Sequence, residues 1–211
     1  METTATVPAV RRSLKAFVVS VSGTSGAGKT TVIEKAAALL PSVAVLRFDD
    51  YITLGNDIAQ IRAWVDAGAD LDEIKTPMLA VDLRKLSTGE AIRLPETGRR
   101  IEPADFIILE EPFGRSRLEL SPLIDFAVFI EAPPDIALAR RTLREIETWQ
   151  EDPARLIGAI SIQLQAFIAV GRDAYLAAAR AARQSADVVL DGMQPIDALA
   201  AALVGEINRR A

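Results

Sequence analysis

The stretch that decides the fold runs Ala16-Phe17-Val18-Val19-Ser20-Val21-Ser22-Gly23-Thr24-Ser25-Gly26-Ala27-Gly28-Lys29-Thr30-Thr31. Residues 16–21 are short, apolar and partly β-branched, the pattern of a strand buried on both faces. Gly23 to Thr30 then matches G-x-x-x-x-G-K-[ST] in full. A helical stretch, Thr30 to Leu40, follows at once and is stopped by Pro41. Strand, glycine-rich turn and helix in this order make a phosphate cradle. Glycine lets the backbone bend so that successive N–H groups converge on phosphate oxygens, and the helix adds its positive N-terminal end. Lys29 is placed to neutralise the β- and γ-phosphates and the Thr30 hydroxyl to meet Mg²⁺. Gly23, Thr24, Ser25, Gly26, Ala27, Gly28, Lys29, Thr30 and Thr31 are therefore the expected nucleotide contacts. A chance glycine-rich turn is the alternative, and it leaves the register of strand, motif and helix without a cause.

Outward from the cradle, strand and helix patterns alternate. Strands are expected at 43–48, 106–109, 126–130 and 188–190. Helices are expected at 57–67, 77–86, 135–148 and 196–208, with a long alanine-rich helical stretch at 153–183 whose weak points are Gly158 and Gly171. Residues 91–94 and 99–102 flank Pro95-Glu96-Thr97-Gly98 and predict a β-hairpin. Such alternation implies an α/β fold, a five-stranded parallel doubly wound sheet with helices on both faces. No linker divides residues 16–211, which read as a single domain. Within it, residues 52–103 form a helix and hairpin insertion that would cover a substrate, and residues 135–152 form a lid. Residues 1–15 read as a disordered leader.

Composition narrows the chemistry. The chain has 211 residues, a net charge of -5, and neither cysteine nor histidine. Disulfides, thiolate metal sites, zinc-hydrolase chemistry and Ser-His-Asp catalysis are excluded. A mildly acidic chain is a poor general binder of nucleic acid. No apolar run approaches the roughly 20 residues of a membrane span, so neither nucleic acid nor membrane is an expected partner and the cytoplasm is the expected compartment. The expected partners are a small-molecule hydroxyl acceptor and further copies of the chain as a homo-oligomer.

The acceptor of a phosphoryl group needs a proton acceptor, and without histidine a carboxylate takes that role. Asp49 and Asp50 end the second strand beside Tyr51, where ligands of open α/β sheets gather. Either carboxylate suits proton abstraction, and Asp49 also suits contact with the metal. The competing reading makes Asp49 a turn cap and leaves Asp50 solvated. Glu110 and Glu111 end the third strand, and Glu110, directly after Leu109, is the expected metal-associated carboxylate. Arg140, Arg141 and Arg144 share a helical stretch and would stabilise charge developing in transfer, or else pair with Glu145 and Glu147 on a solvated face. Tyr51, Asp82 and Arg93 are further substrate-binding candidates. For Asp82 the alternative is a polar helix face, and for Arg93 an exposed hairpin. Trp64 reads as a core residue. Asp191-Gly192 frames a base pocket or is simply a turn. The Asn-Lys-x-Asp signature of GTPases is absent, which leaves ATP with Mg²⁺ as the expected nucleotide and metal.

Several segments in series resemble the uridine kinase family of P-loop nucleoside kinases, and with it phosphoribulokinase and pantothenate kinase. They are Gly23 to Thr30, Asp49-Asp50-Tyr51, residues 77–83, Phe106 to Glu110, Ala139 to Glu145 and residues 186–190. The resemblance implies a P-loop NTPase fold, a catalytic aspartate at Asp49, a metal-associated glutamate at Glu110 and lid arginines at Arg140, Arg141 and Arg144. The chain departs from the family where a histidine-proline pair becomes Thr76-Pro77. A Pro-x-Tyr-Asp segment becomes Pro95-Glu96-Thr97-Gly98, and Glu-Gly becomes Glu110-Glu111. These changes bear on the nucleoside and leave phosphoryl transfer intact. The reading is an ATP- and Mg²⁺-dependent kinase of a small-metabolite hydroxyl, with a nucleoside first and a sugar, vitamin or pantothenate-like alcohol next. A nucleotide-binding regulatory ATPase is the alternative of another class. A kinase predicts an enclosed polar pocket facing Asp49 under the insertion, and a regulator predicts an exposed apolar surface there.

Overall fold

The computed structural model describes residues 15–53 and 58–211. Apart from Lys15, the leader expected at 1–15 lies outside the described residues, as does the first residue of the helix expected at 57–67.

Five parallel strands form the central sheet: β1 (Phe17–Ser22), β2 (Val43–Arg47), β5 (Phe106–Glu110), β6 (Phe126–Glu131) and β7 (Val188–Asp191), in the order β2-β5-β1-β6-β7. The two remaining strands, β3 (Ile92–Arg93) and β4 (Arg100–Ile101), pair antiparallel as the expected hairpin. Side chains alternate across the sheet. Val18, Ile107 and Leu109 point to one face and pack against α3 (Leu79–Ser87), the hairpin and the turn at Ser121–Leu123. Val19, Val21, Ile108, Val128 and Ile130 point to the other and pack against α1 (Lys29–Leu39) and α7 (Ile196–Arg210). Because the central strands are buried on both faces, they read as unbroken apolar runs.

The parallel register brings the carboxyl ends of the strands to one edge. Arg47 stands beside Glu110, and Glu110 beside Val21, one residue short of the end of β1. Strand β2 ends at Arg47, one residue short of the expected boundary, because Phe48–Asp50 curls into a 3-10 turn.

The insertion carries α2 (Ile58–Asp66), α3 and the hairpin. Helix α2 has no buried residue, so Trp64 is not part of the core; its indole Nε1 donates to the Asp70 carbonyl at 2.7 Å. The lid segment is α4 (Pro134–Trp149). The long helical stretch is α5 (Pro153–Ala166) and α6 (Arg172–Gln184), joined by a π turn at Phe167–Gly171. Of the two expected weak points, Gly158 lies within uninterrupted α5 and Gly171 closes the π turn, where extra backbone is accommodated without breaking the helix. Taken through that turn, Pro153–Gln184 is long and apolar enough to reach membrane-spanning length, and only 6% of its apolar window is buried. The expectation that no stretch approaches that length is thus corrected; a single helix of this kind, with length and composition as its only credentials, does not establish a span.

Candidate active site

The cradle is held from outside by backbone contacts. Gly23 has φ 146° and Gly26 φ 93°. A Cβ on Gly23 would lie 2.5 Å from the Ile130 carbonyl oxygen, and one on Gly26 would lie 2.2 Å from that of Ala137. Both positions thus demand glycine for conformation and for space. The loop is pressed between the end of β6 and the first turns of α4, which fixes it before any ligand arrives.

Lys29 begins α1, and its ammonium donates to the Thr24 carbonyl at 3.3 Å. Burial lowers its pKa; Glu110 and Asp49 pull it back up, and the positive charge of Arg144 pushes it down again. The Thr30 hydroxyl donates to Glu110 Oε1 at 2.9 Å. On its other side Glu110 faces Arg47 at 3.9 Å, and Arg47 in turn bonds Glu34 at 2.7 Å. Thr24 Oγ1 is buried without a partner. A desolvated ammonium with one long bond, an orphaned hydroxyl and a loop of turned-in backbone fit an anionic phosphate chain. The Thr30 and Glu110 oxygens fit a hard divalent cation. Among the described residues no three acidic side chains gather into a metal cage, so Mg²⁺ there would complete its shell from phosphate oxygens and water.

Next to the cradle lies a cavity of about 340 Å³. Gly23, Thr24, Ser25, Lys29, Asp49 and Glu110 are among the residues that line it. Asp49 comes from the 3-10 turn after β2, and its neighbour Asp50 does not line the cavity. Helices α2 and α6 contribute walls through Ile61, Trp64, Tyr175 and Ala178. An ion pair between Arg62 and Asp173, 3.8 Å apart, ties these two helices together.

The remaining expected residues are dispersed. Tyr51 is buried and its hydroxyl donates to buried Asp82 at 3.1 Å; burial and that carboxylate push the phenol above its usual range. Neither side chain lines the cavity. Arg93 is exposed and donates to the Gly98 carbonyl across the hairpin turn at 3.1 Å. Arg140 donates to the Gly192 carbonyl at 3.1 Å, Arg141 lies 4.9 Å over the Tyr175 ring, and Arg144 is exposed but acts on Lys29 through its charge. The three lid arginines therefore do not converge on one point. Asp191 accepts from the Met193 amide and the Gln194 side chain; these bonds, that of Gln194 first, hold its carboxyl below the usual range, and Asp191-Gly192 forms a turn.

Glu111 is not a solvated loop residue. It is fully buried and paired with Arg117 at 2.7 Å. Arg117 also donates to the Thr76 hydroxyl at 2.9 Å and to the Ile74 carbonyl at 3.0 Å, and it lies against the rings of Phe48 and Phe113. Burial pushes the Glu111 pKa up to about 7, with Arg117 opposing the rise and Asp49 adding to it. Nothing local in the sequence signals this network, because it joins the loop after β5 to the insertion. The aromatic cavity wall was also illegible, save for the spacing of Tyr175, Ala178 and Ala179 on α6, a helical i, i+3, i+4 set.

No family model matches the chain. It is 33% identical to the inorganic pyrophosphatase TTM2 of Arabidopsis thaliana over 69% of this chain, and it spans only 22% of that protein's length. It is 27% identical to the uridine kinase of Deinococcus deserti over 84% of this chain and 88% of the relative. A solved structure described as a possible uridine kinase from Bacillus stearothermophilus aligns over 87% of this chain and 92% of its own, at 20% identity and a TM-score of 0.49. The chain is thus similar along most of its own length, and most of theirs, to uridine kinases, a likeness that supports a small-metabolite kinase.

Proposed function

We propose that the chain is an ATP- and Mg²⁺-dependent phosphotransferase acting on a hydroxyl of a small metabolite. One observation carries this reading: Lys29 and Asp49 line the same cavity beside the phosphate cradle. Bound Mg-ATP supplies the phosphoryl group and an electrophilic phosphorus. The loop amides and Lys29 hold its phosphates, while Thr30 and Glu110 hold the cation. Asp49 receives the acceptor's hydroxyl proton as that oxygen bonds to phosphorus and the bond to the departing ADP oxygen breaks. Of the lid arginines, Arg144 is the one whose charge acts on Lys29, and it is assigned to the developing charge. Helices α2 and α6 wall the cavity beside the transferring group. A nucleoside is the first acceptor to assay, since uridine kinases are among the relatives. Sugars and vitamin or pantothenate-like alcohols come next.

The test is ADP formation from Mg-ATP with and without acceptors. Acceptor-dependent ADP is expected, with Asp49→Asn lowering turnover by about 10²–10⁴-fold and leaving nucleotide affinity unchanged. ADP formed equally without any acceptor would overturn the phosphotransferase reading in favour of hydrolysis.

A further inference from the structure

Arg117 touches more than its ion-pair partner. Its guanidinium pairs with buried Glu111 at 2.7 Å and donates to the Thr76 hydroxyl at 2.9 Å and the Ile74 carbonyl at 3.0 Å. The same cation lies 5.4 Å from the Phe48 ring centre and 5.8 Å from that of Phe113. The two rings meet edge to face, 5.6 Å apart and 84° to one another. Phe48 opens the 3-10 turn Phe48–Asp50, and Asp49 is its next residue. Two buried side chains anchor this turn. Tyr51 holds its far end through the bond to Asp82, and Phe48 holds its start. Asp49 itself is exposed and follows Phe48 directly.

We propose that Arg117 is a positioning residue: by holding the Phe48 ring it fixes the turn that delivers Asp49 to the cavity. Where it concerns turnover, this rests on the phosphotransferase reading of the same site. Stability does not by itself account for a cation at this place. A buried ion pair is often no more stabilising than apolar side chains of the same shape, and Arg117 Nε is buried without a hydrogen-bond partner. Geometry accounts for it better. A flat, rigid cation set against two crossed rings fixes how each ring is turned, which a flexible apolar chain does not. Phe48, Asp49 and Phe113 line one cavity, and Asp49 is near enough to the buried pair for its charge to act on Glu111. The phosphate cradle is held elsewhere, pressed against the Ile130 and Ala137 carbonyls, so nucleotide binding does not depend on Arg117.

The test uses the full chain carrying Glu111→Leu with Arg117→Met, a pair that leaves no charge buried alone. Amide hydrogen exchange reads the turn without any need for catalysis. The Tyr51 amide donates to the Phe48 carbonyl at 3.0 Å and closes the turn, while the amide of Ile108, in the middle of the sheet, reads global opening. Tyr51 is expected to exchange at least about tenfold faster in the double variant, beyond any change at Ile108. In ADP formation from Mg-ATP with uridine, kcat should fall by roughly 10- to 100-fold, the loss that a small misplacement of a reacting group brings. KM for Mg-ATP should stay within about twofold, because the lost interaction is not with the nucleotide. A rise at Tyr51 no larger than that at Ile108 makes Arg117 a general brace and overturns the proposal. So does faster Tyr51 exchange with kcat unchanged. If the native chain forms ADP equally with and without acceptor, the phosphotransferase reading fails, and the exchange ratio alone decides whether Arg117 holds the turn.

Discussion

At the scale of single residues, the cradle concentrates the strictest demands. Gly26 combines a left-handed φ with a backbone oxygen 2.2 Å from where a Cβ would stand. Gly26→Ala is therefore expected to cost at least about 2 kcal/mol, since backbone strain and a clash that no side chain can relieve act together. Chemical denaturation at constant m-value measures it. Lys29 presents the reverse case. Its charge is desolvated and is partly supported by Glu110 and Asp49, so it contributes little to folding; in the proposed function its work is to hold phosphate. Lys29→Ala should leave the melting temperature of the free protein within a few degrees. It should lower kcat/KM for acceptor-dependent ADP formation by about 10²–10³-fold, the usual loss when a group stabilising transition-state charge is removed.

Among the elements, the loop leaving β5 does more than deliver Glu110. Its next residue, Glu111, turns into the interior and meets Arg117, six positions on, which reaches across to Ile74 and Thr76 of the insertion. One buried cation thus ties the sheet to the segment that walls the cavity and supports Phe48 and Phe113 from behind. Breaking one side of a buried pair strands the other charge, so Arg117→Met is expected to destabilise the protein by about 3–5 kcal/mol. The double variant Glu111→Leu with Arg117→Met should recover most of that loss, because no charge is left buried alone. Denaturation midpoints of the two variants decide it: equal loss in both would mean that shape, and not charge, carries the contact. The tie also explains why Glu111 escaped a reading made along the chain. Adjacent carboxylates at a strand end look alike in sequence, and alternation turns one toward Thr30 and the other into the core.

For the whole molecule, the parallel sheet assembles one edge from segments far apart in sequence: the loop after β1, the turn after β2 and the end of β5. Ligand and fold are linked through that edge. A nucleotide that binds only the folded chain stabilises it by about 2.7 kcal/mol at a hundred times its dissociation constant. For a domain of this size that is roughly a 5–10 °C rise in melting temperature. Thermal melts with a non-hydrolysable ATP analogue and Mg²⁺ should show the rise. Removal of Mg²⁺ by chelation should reduce it, and Lys29→Ala should abolish it; an unshifted melt in the native chain would contradict nucleotide binding at the cradle. The sequence by itself determined the cradle, the strand and helix alternation, the hairpin and the placing of Asp49 and Glu110 at strand ends. Those features follow from local chemistry, glycine conformation and side-chain period, which act over a few residues. Only the tertiary structure decided that Asp49 and not Asp50 lines the cavity, that Tyr51 and Asp82 satisfy each other away from it, that Glu111 pairs with Arg117, and that Trp64 walls a pocket instead of filling the core. Each of these depends on which distant segment arrives opposite. Packing settles that choice by burying apolar area and by pairing Glu111 with Arg117, and neither is written in the spacing of neighbours.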